Sequence, residues 1–231
     1  MKHNTTIALF EKYAKDYDKL QSGLVPYYDN IISMVANAFV RHVGGGDVLD
    51  LGCGTGNVST QILSSSPKAR VFLLDGSQSM MDVAVPKLAK KFGARRILGG
   101  RVVNLEDKNW AEGLGKFDAI VTSLVLEHLK WPDYRAVVRK CREHLKPGGY
   151  FISVEWSDDK FGMRQWFVDE MDARRNMKSK YHKQASRESR RMERHYFVDI
   201  NKKLEWIKNA GFKDVHTIWQ YLFGYIVVGR K

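Results

Sequence analysis

The run Val48-Leu49-Asp50-Leu51-Gly52-Cys53-Gly54-Thr55-Gly56 constrains this chain more than any other stretch of its length. A short apolar run leads into glycines at alternate positions, and Asn57 to Ser64 then reads as a helix. Strand, tight turn and helix follow one another without a spacer. Glycine is required in such a turn because some positions need positive φ, and because a Cβ would hold a ligand away from the backbone. The helix that follows turns its unpaired N–H groups and the positive end of its dipole toward the same spot.

Two acids bracket this turn. Asp50 lies two residues before the first glycine, and Asp75 ends the next apolar run, ARVFLLD at 69–75. In nucleoside-binding α/β folds an acid at that strand end accepts hydrogen bonds from ribose hydroxyls; the alternative is a cap for the helix at 77–91. The spacing G-x-G-x-G differs from the dinucleotide fingerprint G-x-G-x-x-G, and no Gly-Lys-Ser/Thr closes a phosphate loop. A carboxylate at Asp50 repels a pyrophosphate but gains charge-assisted hydrogen bonds beside a cationic group.

The remaining pattern places this turn in a larger frame. Apolar residues at spacings of three and four predict helices at 5–20 and 26–42, with Pro26 near the start of the second and Gly44 to Gly46 ending it. Unalternating apolar runs predict strands, buried on both faces, at 47–51, 69–75, 96–104, 117–123 and 150–156. Helices at 57–64, 77–91 and 131–145 fall between them, and Lys146-Pro147-Gly148-Gly149 forms a turn. Alternation of this kind implies a parallel sheet. Residues 160–195 break the rhythm and read as a helical cap. A helix at 199–210 and strands at 213–219 and 222–229 complete the chain, the last two as an antiparallel hairpin because a parallel crossover needs a dozen residues or more. The expected fold class is α/β, a Rossmann-like doubly wound sheet of seven strands with a helical cap. Its expected organisation is one domain: lid helices over 1–42, ligand-binding core over 43–156, basic cap insert over 157–198, and helix plus hairpin over 199–231.

Composition excludes several classes. The chain has 231 residues and 44% apolar content, enough for a real core. Its apolar runs fall short of the ~20 residues that span a bilayer, and the N-terminal patch Ile7 to Phe10 is too short for a secretory signal, so a cytoplasmic protein is expected. Cys53 and Cys141 fit neither a disulfide framework nor a metal site, and no metal is expected. The formal net charge is +12, and nine Lys or Arg against two Glu fall between Arg174 and Arg194. That segment is either a patch for RNA, an acidic surface or an anionic substrate, or a solvated helix face.

From about residue 43 onward the chain resembles the class I S-adenosylmethionine (SAM)-dependent methyltransferase superfamily. The resemblance rests on VLDLGCGTG at 48–56, LLDGSQSMM with Asp75, KFDAIVTSLVLEHL at 116–129, KPGG at 146–149 and GFKDV at 211–215. It implies SAM as cofactor, held by Asp50, Gly52, Cys53, Gly54 and Gly56 in the turn and by Asp75, Gly76, Ser77 and Met80 after the second strand. It further implies Asn104, Leu105 and Glu106 at the adenine, and Ser123, Leu124 and His128 after the fourth strand. Asn104 stands where the family usually has Asp; its amide oxygen accepts the same N–H. Tyr13 and Tyr17, in Phe10-x-x-Tyr13-Ala14-x-x-Tyr17-Asp18, resemble a lid helix closing over the cofactor; as residues they fit a helix core equally. YDKLQSGLVPYYDN, the basic insert and WQYLFGYIVVGRK are similar to a narrower group that includes synthases converting SAM to carboxy-SAM for tRNA modification. Such enzymes need an arginine for the extra carboxylate, and Arg187, Arg190 and Arg191 lie in the right region.

Methyl transfer from a sulfonium needs alignment more than a covalent nucleophile, and a base only where the acceptor must lose a proton. His128 is a candidate base or a packing residue. Glu155, ending the fifth strand, either faces ligand or pairs with a cap arginine. No (D/N)PP(F/Y) run follows strand four, where Thr122-Ser123-Leu124-Val125 stands, which argues against amino-directed nucleic-acid methylation. Neither cysteine suits carbon-5 pyrimidine methylation. The leading expectation is methyl transfer to a small molecule; alternatives are an RNA- or protein-directed or carboxy-SAM-type enzyme, and a non-catalytic SAM binder. Oligomeric state is not readable from the sequence.

Overall fold

The computed structural model describes residues 5–158, 162, 163, 165, 166, 169 and 195–231. Its seven strands are β1 (Gly46–Leu51), β2 (Ala69–Asp75), β3 (Ile97–Val102), β4 (Phe117–Ser123), β5 (Leu145–Trp156), β6 (Lys213–Tyr221) and β7 (Gly224–Arg230). They form one sheet in the order β3-β2-β1-β4-β5-β7-β6. The first five pair in parallel; β7 runs antiparallel to both β5 and β6. The fold is therefore the Rossmann-like α/β sheet that the alternating pattern implies. The chain steps outward from β1 to β3 and then returns to place β4 against the other side of β1. Between those two strands their carboxyl ends part, and a crevice opens there.

Helices cover both faces. α3 (Tyr28–His42), α4 (Asn57–Ser65) and α5 (Gln78–Phe92) pack on one side, where Ile31, Val35 and Phe39 meet Val48, Val71, Val121 and Val154. On the other side α6 (Trp131–His144) and α7 (Ile200–Asn209) bury Val137, Val138 and Ile207 against Leu49, Ile120, Phe151 and Val227. Successive strand residues thus feed opposite cores, which is why these strands read as unbroken apolar runs rather than alternating ones.

Several boundaries differ from the sequence reading for local reasons. The single helix expected at 5–20 is α1 (Thr5–Tyr13), a 3-10 turn (Ala14–Asp16) and α2 (Tyr17–Leu24). A tighter turn re-phases the helix face. Tyr13 joins Leu9 and Leu20 in a small buried cluster, whereas Tyr17 faces the glycine turn. Pro26 lies before α3 because Tyr27 takes a left-handed φ of 60°. The KPGG turn is a bulge inside β5: Leu145 pairs with Phe117 and Tyr150 with Ala119, so the intervening residues loop out. Asp199 caps α7 by accepting from Asn201 N at 2.9 Å. The basic segment 174–194, with Arg187, Arg190 and Arg191, lies outside the described residues, as does most of the cap expected over 157–198. Among the described residues no helix is long and apolar enough to cross a membrane.

Candidate functional site

A cleft of about 770 Å³ opens where β1, β2 and β4 end. Its floor is the glycine turn. Gly52, Gly54 and Gly56 have φ of 72°, 52° and 81°, a region that disfavours side chains. A Cβ at Gly52 would lie 2.3 Å from Val125 Cγ2, so no other residue fits without displacement. A Cβ at Gly54 would meet only Tyr17, at 3.6 Å, and would otherwise occupy ligand space.

Asp75 organises the near wall. One carboxylate oxygen accepts from Gly54 N at 2.7 Å and the other from Ser77 N at 2.9 Å. Those bonds tie the end of β2 to the glycine turn and fix the carboxylate at the cleft edge. Burial raises its pKa, and the backbone donors of Ser77, Gly54 and Gly76 counteract that. Ser77 also starts α5, its hydroxyl accepting from Met80 N at 3.1 Å. The helix cap thus belongs to Ser77, and Asp75 is left to the cleft.

Asp50 points elsewhere. It is 1% exposed and accepts from Ser59 Oγ at 2.6 Å. It lines a smaller adjoining cavity of about 340 Å³ with Cys53, Thr55, Asn57 and Tyr28. Burial, with the charge of Asp75 adding, pushes its carboxyl up to about 7. Gly52, Gly54, Tyr17, Ser123 and Leu124 line both cavities, so the two are lobes of one site.

Of the sequence candidates, Gly76, Ser77, Met80, Asn104, Leu105, Ser123, Leu124 and His128 all border the main cleft. Gly56 begins α4 behind the turn. Asn104 Oδ1 already accepts from Glu106 N at 3.0 Å, and Glu106 is exposed beside the wall rather than part of it. Tyr13 does not reach the cleft, since it is buried against Leu9 and Leu20. Glu155 does not either. Its carboxylate is wholly buried on the α6–α7 side of the sheet. It accepts from Lys203 Nζ at 2.8 Å, Ser153 Oγ at 2.8 Å and Tyr134 Oη at 3.0 Å. Its partner is a lysine of α7, and its setting is a closed polar knot rather than an open strand end.

Other wall residues escaped the sequence reading. Thr6, Ile7 and Phe10 of α1 roof the cleft, and Val103, Val125 and Leu129 also line it. The Phe10 ring stands edge-on to Tyr17 and to His128, with centroids 6.0 and 5.9 Å apart. Two acids hold this roof down. Glu11 takes the Ser79 hydroxyl, and Asp18 takes the Thr55 hydroxyl, Asn57 Nδ2 at 2.9 Å and Lys87 Nζ at 3.0 Å. Burial works against the Asp18 charge, but the bonds from Thr55, Lys87 and Asn57 prevail and its pKa is lowered. The amphipathic pattern of α1 carried a signal for Phe10; the acid contacts are long-range and left none.

An open trough with ribose-acceptor geometry, side-chain-free backbone and apolar walls suits an adenosyl group. Comparison with known proteins agrees. A methyltransferase-domain family model matches residues 49–151, the span from β1 to β5 that builds the cleft floor. The domain match, the relatives and the fold together support the class I SAM-dependent methyltransferase superfamily for this chain. Within it, the chain is 27% identical over 168 residues to a demethylmenaquinone methyltransferase of Leptospira interrogans, covering 69% of this chain and 64% of that protein. It is 22% identical over 214 residues to a carboxy-SAM synthase of Campylobacter lari, covering 90% of this chain and 88% of the other. The fold matches magnesium protoporphyrin IX methyltransferase from Synechocystis with a TM-score of 0.69 at 14% identity, covering 97% of each chain.

Proposed function

We propose that this methyltransferase-family chain binds SAM in the main cleft and transfers its methyl group to a small-molecule acceptor. The observation that carries the reading is the Asp75 carboxylate, braced by two backbone N–H groups at the edge of an adenosyl-sized trough. Asp75 would accept from the ribose hydroxyls, the glycine turn would take the amino-acid tail, and Val103, Asn104 and Leu105 would flank the adenine. When bound, SAM supplies an electrophilic methyl and a leaving group that becomes neutral. The protein's contribution is to hold the acceptor in line, at roughly 3–3.5 Å, and to keep water out. The α1 roof and the apolar walls serve both tasks.

The test is calorimetric titration with SAM and S-adenosylhomocysteine. Native protein is expected to bind both, and Asp75→Ala to weaken binding about tenfold or more while staying folded, because two backbone donors and the ribose lose their acceptor. Unchanged affinity in Asp75→Ala refutes the placement. The end-to-end match to the carboxy-SAM synthase favours a second reading, in which the same cleft makes or holds carboxy-SAM. Mass spectrometry of ligand released from purified protein separates the two: a species heavier by a carboxylate supports the second reading. A role for 174–194 in RNA binding is a further proposal, tested by tRNA affinity that falls steeply with salt.

A further inference from the structure

The outer face of α6 and α7 carries cations and indoles that the SAM cleft does not use. On α6, Trp131, Arg135 and Arg139 follow one another at four-residue steps, so they form one row about 12 Å long. On α7, Lys202 and Trp206 repeat the step beside it. The rows meet. Lys202 Nζ lies 5.6 Å from the centre of the Trp131 ring and 5.9 Å from that of Trp206, and the Arg135 guanidinium lies 5.5 Å from Trp206. The two indoles are 6.4 Å apart. Further along, Arg135, Arg139, Trp206 and Asn209 line a hollow of about 420 Å³.

Two features set this strip apart from an ordinary solvated helix face. Trp131 is 47% exposed, so much of the apolar area that an indole can bury is left in water. Among the described residues, Arg135, Arg139 and Lys202 have no carboxylate partner, although Asp133 and Glu205 lie on the same two helices. A guanidinium lying over a ring uses its flat face and keeps its N–H fork for an anion. The strip therefore presents flat rings and unneutralised positive charge together.

A partner must satisfy both. An acidic peptide would meet the cations and leave the indoles idle. A bilayer takes up an apolar face, whereas here cations lie over the rings and a hollow lies between the helices. A single-stranded nucleic acid has a flat face on every base and a negative charge on every phosphate. Unpaired bases are common in the loops and ends of RNA, which favours RNA over DNA.

We propose that the α6–α7 strip binds single-stranded RNA, with bases against Trp131 and Trp206 and phosphates on Arg135, Arg139 and Lys202. The Asn209 amide stands at the hollow, where it can donate to a base edge or accept from it. The hollow shares no lining residue with the SAM cleft, and the strip is separate in sequence from 174–194, so the proposal rests on neither reading.

Fluorescence anisotropy with labelled oligouridylate of about ten nucleotides reads the binding. The full native chain is expected to bind at low salt, with affinity falling steeply as salt rises. Trp131→Ala is expected to weaken binding about fivefold or more through the lost stack. Arg135→Gln combined with Arg139→Gln removes two phosphate contacts and is expected to lessen the slope of log affinity against log salt by about 1.4. These side chains are exposed, so both variants keep the fold, which circular dichroism checks. Failure of the native protein to bind, or native-like binding by either variant, overturns the proposal, even where 174–194 then stands as an RNA-binding segment. Tighter binding to oligodeoxythymidylate, to phosphatidylglycerol vesicles or to polyglutamate, lost in the same variants, overturns it too and gives the strip to DNA, a membrane or an acidic peptide.

Discussion

Substituting Gly52 by alanine is the most direct trial of the glycine turn. Two separate penalties are expected. Gly52 has φ 72°, and holding an L-residue there costs roughly 1–2 kcal/mol. The new Cβ would also lie 2.3 and 2.7 Å from Val125 Cγ2 and Cγ1, and overpacking of that kind costs about 1–3 kcal/mol. The sum is about 2–5 kcal/mol, a large share of the ~5–15 kcal/mol that holds a domain together. The two parts separate experimentally. Val125→Ala removes both γ-carbons and leaves Val125 Cβ, 3.0 Å away, as the tightest remaining contact. In that background Gly52→Ala should lose only the conformational part, so the double-mutant cycle should return a coupling of about 1–3 kcal/mol. Urea unfolding measures each corner, and S-adenosylhomocysteine titration reports the site. A loss below about 1 kcal/mol for Gly52→Ala, or the same loss in both backgrounds, would refute the reasoning.

Further outcomes follow from the same contacts. Lys203→Met should destabilise by about 3–5 kcal/mol in urea, since it strands the Glu155 charge, and Glu155→Leu combined with it should recover part of that loss. Asp18→Ala should weaken S-adenosylhomocysteine binding by about 3-fold to 10-fold in calorimetry, because the roof loses its bonds to Thr55, Asn57 and Lys87. Asp50 and Glu127 both have folded pKa values raised to about 7, so each binds its proton more tightly folded than unfolded. Their contribution to stability is complete below about pH 4 and is lost as pH rises through about 7. Asp50→Asn cannot ionise, so its urea stability should gain on the native protein by up to ~1.4 kcal/mol per pH unit between about pH 5 and 7; a constant difference would contradict the burial argument.

The sheet was legible because its strands announce themselves. Runs such as FDAIVTS carry apolar residues to both faces, and only a strand covered on both sides reads that way. The glycine turn and the acid ending β2 were legible because their requirements are local: positive φ, and a fixed number of residues from turn to strand end. What depends on distant partners was not. Nothing near Glu155 in the chain announces Lys203, 48 residues away. The break between α1 and α2 sends Tyr13 and Tyr17 to different places, although their spacing on a continuous helix would set them on one face. The turn of Asp50 toward Ser59 was equally hidden, because a strand-end acid and a helix hydroxyl nine residues on fit several arrangements.

The fastening of α1 and α2 also bears on how the chain is made. Glu11 meets Ser79 across 68 residues, and Asp18 meets Lys87 across 69. On a ribosome these acids emerge well before the serine and the lysine they will hold. α1 and α2 must therefore wait until β2 and α5 have been threaded out, and the ligand trough gains its cover only after its floor exists.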